Sequence, residues 1–226
     1  MFPVVLEIGP VKIYSFGLML VTAFYTCFFL LHLEMKRLKY DTEIASDIIF
    51  WAAIGGVLGA KIYYLIENLD RTINDPAGMI FSGSGLVFLG GLIGSTTCVT
   101  IILNKRKLPW FVFADVIAPL IMIGYAIGRF GCFLVGDDYG LPSTLPWAVS
   151  FPNGLPPTTV SSFSLYYPWI DTSNFTSEII TVHPTQLYES FAGFVFFMIL
   201  WKMRSKITIP GSLFFSYLVI AGIERF

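Results

Sequence analysis

The chain has 226 residues; 55% belong to the AVILMFWYC set, only 13% are charged, and the formal net charge is −1. A soluble domain carries roughly 25% charged residues, so this composition, with a mean hydropathy of +0.73, excludes a water-soluble globule and a disordered chain. The charge balance leaves no basic footprint for nucleic acid, and what remains is a polytopic membrane protein.

A helix needs about 20 mostly apolar residues to cross the hydrocarbon core. The first such run is Phe16–Leu33. Met1–Pro10 ahead of it lacks a basic stretch and no A-x-A site follows, so the run is expected to stay as a helix rather than be cleaved as a leader. The next runs are Ala45–Ile66, Gly85–Leu103, Trp110–Phe130, Gln186–Met203 and Gly211–Phe226. They are too long and continuous for barrel strands. The expected fold is all-α: one membrane domain over residues 1–226, a helix bundle with six to seven transmembrane helices.

Positive charge alternates between the connections. Lys36, Arg37 and Lys39 follow the first run, Lys105, Arg106 and Lys107 the third, and Lys202, Arg204 and Lys206 the fifth. The segment Glu67–Ser84 holds one Arg, and the segment 136–185 holds no Lys or Arg. Basic loops stay cytoplasmic. The N-terminus is therefore expected outside, and 136–185 is a long outer loop. Trp147, Phe151, Tyr166, Tyr167, Trp169 and Phe175 stand in that loop. They suit an aromatic belt at the membrane interface or a lining for substrate.

Glycines recur at four-residue spacing: Gly55 and Gly59, Gly90 and Gly94, Gly124 and Gly128. In lipid, helices associate by close backbone approach, so these predict tight packing. Cys27 and Cys98 sit in apolar stretches and are expected to be buried or lipid-facing; the three cysteines form no disulfide framework.

Ionisable groups inside a bilayer are costly and mark candidate sites. The fourth and sixth runs travel outward, placing Arg129 and Arg225 near the outer leaflet, with Asp137 and Asp138 close after Arg129. The fifth run starts outside, so His183 and Glu189 belong to the same depth. Guanidinium grips phosphate oxygens through two parallel N–H groups. The phosphate at that depth is a phospholipid headgroup. The alternative is that each Arg pairs with a nearby acid, such as Asp137 or Glu224.

Several blocks carry a family resemblance. Gly128-Arg129-Phe130-Gly131-Cys132-Phe133, then Gly136-Asp137 and Gly140, resemble the G-R-x-G-N-F-x-N-G-E-x-x-G signature of bacterial prolipoprotein diacylglyceryl transferases. Asp115-x-x-Ala118-Pro119 stands upstream at the family's spacing. His183-Pro184-Thr185-Gln186-Leu187-Tyr188-Glu189 is similar to the family's H-P-S-Q-L-Y-E. Ile8-Gly9-Pro10 with Phe16-Gly17-Leu18-Met19 resembles its N-terminal block, and Gly85 to Gly94 its third block. Trp147 and Phe151-Pro152 resemble part of its outer loop. The blocks follow family order over nearly the whole chain.

The departures are specific. Leu89 stands where the family has His, Cys132 and Val135 where it has Asn, Asp137 where it has Glu, and Phe16 where it has Tyr. The outer loop is longer between Pro152 and His183. Family members continue beyond the position of Phe226, so the chain reads as a fragment or a short variant.

The resemblance implies transfer of the diacylglyceryl group of phosphatidylglycerol to the thiol of a lipobox cysteine in a preprolipoprotein signal peptide. Glycerol phosphate leaves, and no cofactor or metal takes part. It places the enzyme in a bacterial plasma (inner) membrane with its site near the outer leaflet. Arg129 and Arg225 fill the family's two arginine positions, as phosphate ligands that stabilise the transition state. Gly131 and Gly136 could add backbone donors. With Leu89 unable to move a proton, His183, Asp137 and Glu189 are the alternatives for that step. Gly128, Gly131, Cys132, Gly136, Gly140, Gln186, Tyr188, Glu189, Phe16 and Leu89 complete the candidate substrate-binding set. Cys132 reads as a small packing residue, as a poor donor in place of an amide, or as a nucleophile. Two other readings stay open: a paralogous transferase with another acceptor, motivated by Phe16, Leu89 and Cys132, and a non-enzymatic lipid-binding or transport protein.

Overall fold

The computed structural model describes residues 4–8, 11–81, 87–173, 175 and 177–225, the side chains of 8, 11–13 and 225 excepted. The expected Gly9-Pro10 and Gly85-Leu86 blocks, Phe226 and the Arg225 side chain therefore lie outside the described residues. In their described residues the six apolar runs are largely helical. They form α1 (Ser15–Leu38), α2 (Glu43–Glu67), α5 (Phe88–Lys105), α6 (Trp110–Val135), α8 (Thr185–Met203) and α9 (Ser212–Arg225). Three short helices intervene: α3 (Leu69–Asn74), α4 (Pro76–Phe81) and α7 (Val160–Tyr166). α4 starts where its sequence directs. Pro76 tolerates a first-turn position, and Asp75 Oδ1 accepts from the Gly78 N–H at 2.9 Å.

One element departs from the all-α expectation. β1 (Val4–Ile8) and β2 (Val11–Tyr14) pair antiparallel as a two-stranded hairpin. Val4-Val5-Leu6-Glu7-Ile8 and Val11-Lys12-Ile13-Tyr14 are rich in β-branched residues. That enrichment marks strands and is outweighed, in a reading by hydropathy, by the longer run that follows.

Four helices, α1, α2, α5 and α6, are long and apolar enough to cross a membrane. α9 is a shorter apolar helix. α8 is diluted by Thr185, Gln186, Glu189 and Ser190 in its first turns.

The chain divides into two compact units, residues 28–116 and residues 1–27 with 117–226. In the first, α2 and α5 are the most extensively paired helices. A Cβ added at Gly55, Gly59, Gly90 or Gly94 would fall within 3.0 Å of the facing helix, mostly of its backbone. Ser95 Oγ donates to the Ala52 carbonyl across the same seam at 2.8 Å. Two of the three glycine pairs named from sequence therefore form one seam. Leu31, Met35, Ile44, Ala45, Ile48, Leu103 and Phe113 are buried. Arg106 pairs with Asp47, and Glu34, itself buried, with Arg37.

In the second unit, α8 lies against α6. Its buried residues Gln186, Gly193, Phe197 and Leu200 fall on one helical face. Gly193 permits the approach, because a Cβ there would stand 3.2 Å from Ala126 and from the Tyr125 ring. Ser190 Oγ donates to the Ala126 carbonyl at 2.9 Å.

The segment 136–185 has a core of its own. Phe151, Phe163, Ile180 and Val182 are buried together, with Phe133, Tyr139, Tyr167 and Phe175 packed around them. Isolated bridges join Pro142 and Val149 to Val182, and Thr159 to Ile179. Its aromatics thus split. Phe151 is buried, whereas Trp147, Tyr166 and Trp169 are exposed. Tyr139 donates to the Pro156 carbonyl at 2.8 Å, and burial pushes its phenol up to about 12. It therefore remains neutral at physiological pH as a structural donor.

Candidate functional site

The second unit brings charged groups of α6, α8 and α9 together at one place. Arg129 stands in the last two turns of α6, and Glu189 in the first two turns of α8. Arg129 Nη2 donates to Glu189 Oε1 at 2.9 Å, and Nε lies 2.5 Å from Oε2. Nη1 donates to Asp138 Oδ2 at 3.0 Å. The Arg129 side chain is 14% exposed, Glu189 26% and Asp138 68%. The paired-acid alternative describes this resting geometry, with Asp138 and Glu189 as the acids rather than Asp137 or Glu224. Asp138, mostly in water, is the partner most easily exchanged for another anion.

Tyr125 lies one helical turn before Arg129 on the same face of α6. Its hydroxyl stands 2.6 Å from Glu189 Oε2 and 2.7 Å from Glu224 Oε1 of α9. Sequence reading missed Tyr125. The signal was its i, i+4 spacing to Arg129 in an otherwise apolar helix.

The turn after α6 sets the loop against α8. Gly136 adopts φ +81°, the left-handed conformation that ends helices and suits glycine. Its N–H donates to the Cys132 carbonyl at 2.8 Å, and a Cβ there would meet Phe151. Gln186 is fully buried and donates from Nε2 to the Asp137 carbonyl at 2.6 Å. Thr185 Oγ1 donates to the Asp138 carbonyl at 3.2 Å. Gly140 lets the loop touch the His183-Thr185 segment, where a Cβ would stand 2.6 Å from Thr185. The glycines and Gln186 thus hold the acids in place.

His183 is tied through its backbone, accepting from the Gly140 N–H and donating to the Leu141 carbonyl, both at 3.0 Å. Its Nδ1 is 3.4 Å from the Tyr188 hydroxyl, which accepts from Trp147 Nε1 at 2.7 Å. This is a loop-tethering arrangement. Gly131 packs on α1, with Met19 and Phe16 nearest. Leu89 is half-exposed in the first turn of α5, within the unit 28–116.

Gly128 differs from the packed glycines. A Cβ there would meet nothing within 4 Å. Gly128→Ala is therefore expected to raise stability by up to about 1 kcal/mol through helix propensity alone. If the open space beside Arg129 admits substrate, the same change lowers transfer activity. Thermal unfolding and activity on one preparation separate the two effects.

Cys132 is buried, with Sγ 4.0 Å from Arg129 Nη1 and beside the Asp137 carboxyl. Buried Asp137 Oδ1 has no hydrogen-bond partner among the described residues. Burial holds the Asp137 carboxyl above its ordinary range, and neighbouring Asp138 adds to this against the Cys132 contact and Arg129. Between the ordinary and the raised value the folded state binds more protons, so this group's contribution to stability falls as pH rises through that window. Asp137→Asn is expected to raise the unfolding temperature at pH 7, with the gain shrinking as pH falls from the raised value toward the ordinary one. Thermal scans at pH 7 and pH 4 check it.

One ligand atom from each of Cys132, Asp137 and Asp138 lies within 4.8 Å of the others. The guanidinium of Arg129 already supplies the compensating positive charge, and Asp138 already accepts from it.

A groove of about 390 Å³ opens in the same unit, lined by Met19, Ile127, Phe130, Leu187, Phe191 and Phe194 among others. Phe130 is the sequence neighbour of Arg129, and Ser190, also in the lining, that of Glu189. The charged cluster, one arginine among several acids, thus lies one residue along the chain from the groove's lining on both α6 and α8.

The sequence profile of the family described as prolipoprotein diacylglyceryl transferase matches residues 3–226. The chain belongs to the prolipoprotein diacylglyceryl transferase family. Among relatives named phosphatidylglycerol–prolipoprotein diacylglyceryl transferase, that of Clostridium tetani (strain Massachusetts / E88) is 30% identical over 226 residues, covering 100% of this chain and 83% of the relative. That of Pseudomonas paraeruginosa is 34% identical over 230 residues, covering 99% and 77%. That of Trichormus variabilis is 30% identical over 225 residues, covering 99% and 76%. Membership in the transferase family rests on the whole chain, so the blocks around Arg129 and Glu189 count as parts of one family pattern.

Proposed function

We propose that this protein transfers the diacylglyceryl group of phosphatidylglycerol to the thiol of a lipobox cysteine in a preprolipoprotein signal peptide. The observation that carries the reading is Arg129, held by acids and next in sequence to Phe130, which lines an apolar groove. A phospholipid has the matching form, an anionic phosphate joined to apolar chains. In this mechanism the phosphate takes Asp138's place on Arg129, and the chains lie along the groove. The thiolate attacks the glycerol carbon of the diacylglyceryl group. A C–S bond forms, the C–O bond to phosphate breaks, and its electron pair leaves on glycerol phosphate. Arg129 stabilises the charge that develops on the leaving oxygen. Arg225, at the end of α9, is the second cation by family pattern.

Proton transfer falls to a carboxyl of the cluster, Glu189 or Asp137. His183 orders the loop. Gln186 and the glycines 128, 131, 136 and 140 shape the site, and Tyr188 orders the start of α8. Residues 1–226 form one membrane domain, in which α8 and α9 span as well as the four longer helices. The N-terminus and the loop 136–185 face outward, by the alternation of basic loops. This puts the site at the outer leaflet of the bacterial plasma membrane.

The test is mass spectrometry of a lipobox peptide incubated with the protein in phosphatidylglycerol membranes. A diacylglyceryl mass increment on the cysteine, with equimolar glycerol phosphate, is expected. Lipid consumption without modification of that peptide would favour the altered-acceptor reading that Leu89 and Cys132 motivate. Binding without consumption would favour a transport protein.

A further inference from the structure

Arg129 presents three nitrogens, and the two acids that hold it do so unequally. Glu189, a quarter exposed, takes Nη2 at 2.9 Å and lies 2.5 Å from Nε. Asp138, mostly exposed, takes Nη1 alone at 3.0 Å. The other group near Nη1 is the Cys132 thiol at 4.0 Å, a weak acceptor. Asp138 is thus the looser partner, yet its backbone is fixed. Thr185 Oγ1 donates to its carbonyl at 3.2 Å, and Gln186 Nε2 to the preceding carbonyl at 2.6 Å. The Gly140 N–H donates to the His183 carbonyl at 3.0 Å. Asp138 itself has φ +52°, a left-handed conformation in which Asp and Asn are enriched among non-glycine residues. The carboxylate can therefore swing into water by side-chain rotation while the turn stays in place. Asp138 falls on an x of the G-E-x-x-G signature, so the family pattern does not call for an acid there.

We propose that Asp138 is a built-in competitor for the phosphate seat on Arg129, which keeps glycerol phosphate from holding that seat after transfer. The inference rests on the reading of Arg129 as a phosphate ligand, with Glu189 staying on its two nitrogens throughout. The substrate phosphodiester carries one negative charge and is held by its apolar chains as well. Once the C–O bond to phosphate breaks, the chains leave on the peptide, and the product is held through its headgroup alone. That product is a monoester, whose charge near neutral pH is roughly −1.5 to −2. A guanidinium attracts it more strongly than it attracts the diester, so an open seat would favour product over the substrate headgroup. A carboxylate tethered beside the seat presents an effective concentration on the order of mM, and it reoccupies Nη1 as the phosphate lifts. No covalent bond is made or broken in the exchange; one anion replaces another. Asp138 is a positioning residue that acts through Arg129. It weakens the hold on both phosphates, and the apolar groove offsets that loss for the lipid only.

The test uses the full chain in phosphatidylcholine nanodiscs. Titration with glycerol phosphate, followed by ³¹P NMR, gives its Kd. Modification of a lipobox peptide with graded phosphatidylglycerol gives KM, kcat and the Ki of added glycerol phosphate. Asp138→Asn removes the charge and keeps the size and the left-handed preference. Asp138→Gly, which also accepts that backbone, is the second variant. Asp171→Asn removes the same charge elsewhere in the loop 136–185, where Asp171 accepts from the Ser173 N–H. Both Asp138 variants are expected to lower the Kd and Ki of glycerol phosphate and the KM for phosphatidylglycerol roughly two- to fivefold, the range an exposed ion pair supports. Their kcat is expected to stay level or fall, and Asp171→Asn to match wild type. A merely structural role for Asp138 would instead raise KM or lower kcat without tightening the product. Unchanged or weaker glycerol phosphate binding in folded Asp138→Asn and Asp138→Gly overturns the proposal, as does equal tightening in Asp171→Asn. Tightening for glycerol phosphate without a fall in the KM for phosphatidylglycerol overturns the shared seat and leaves a site for free phosphate only. Absence of phosphate binding in every one of these proteins overturns the reading of Arg129 itself.

Discussion

Arg129→Ala is expected to lower diacylglyceryl transfer at least about 100-fold, the scale of losing one preorganised donor to a developing oxyanion, while the protein still inserts and purifies. The structural cost is bounded. Removing one partner of a fully buried ion pair costs roughly 3–5 kcal/mol, but Glu189 is a quarter exposed and Asp138 mostly exposed, so the loss here is smaller. Arg129→Lys keeps the charge and loses the planar fork that meets Glu189 through two nitrogens. It is expected to fall between wild type and Ala. The measurement is the rate of peptide modification in phosphatidylglycerol membranes, with unfolding midpoints for each variant. Wild-type rates in Arg129→Ala would remove the arginine from the mechanism. A loss matched by a collapse of the midpoint would assign it to the ion pair instead.

Much of the fold was legible because the bilayer imposes a simple rule. Each backbone polar group in lipid must be satisfied within its own helix, so apolar run length locates helices, and Ala45–Ile66 differs from the observed Glu43–Glu67 only by its flanks. The N-terminal hairpin was not legible by that route. Its strands are short, and period-2 signals are weak beside a long apolar run. The loop 136–185 was readable as aromatic but not as a packed unit. Which rings turn inward depends on pairings such as Val149 with Val182, far apart in sequence. At the site, Arg129, Glu189 and the acids after Arg129 were legible as scarce charges in a largely apolar chain. Tyr125 was not, because a tyrosine in an apolar helix is unremarkable until its hydroxyl is seen between Glu189 and Glu224. Nor was the division of labour among glycines. Gly128 and Gly94 carry the same letter, but one faces open space and the other a helix backbone.

That difference gives the second large effect. Gly94→Val is expected to destabilise the unit 28–116 by about 1–3 kcal/mol or more, the range for overpacking, and to reduce the yield of folded protein. At Gly94 an added Cβ would strike the Gly55 carbonyl and stand 3.0 Å from the Gly59 Cα. These are backbone atoms of a helix that has no rotamer to change, so α2 and α5 must separate along their shared seam. Separation is not offset by hydrophobic burial, because lipid tails are as apolar as a valine, and close backbone approach is the main source of helix association in a bilayer. The Ser95 to Ala52 hydrogen bond across the seam, 2.8 Å at rest, is lost with it. Gly124→Val is the matched control. Its nearest neighbour would be the Cys27 thiol at 3.4 Å, a side-chain atom at ordinary contact distance, so a much smaller cost is expected. Denaturant unfolding of both variants in the same micelles decides the matter. Equal midpoints would show that the glycine seam does not hold the two helices, and that α2 and α5 are set by their ends.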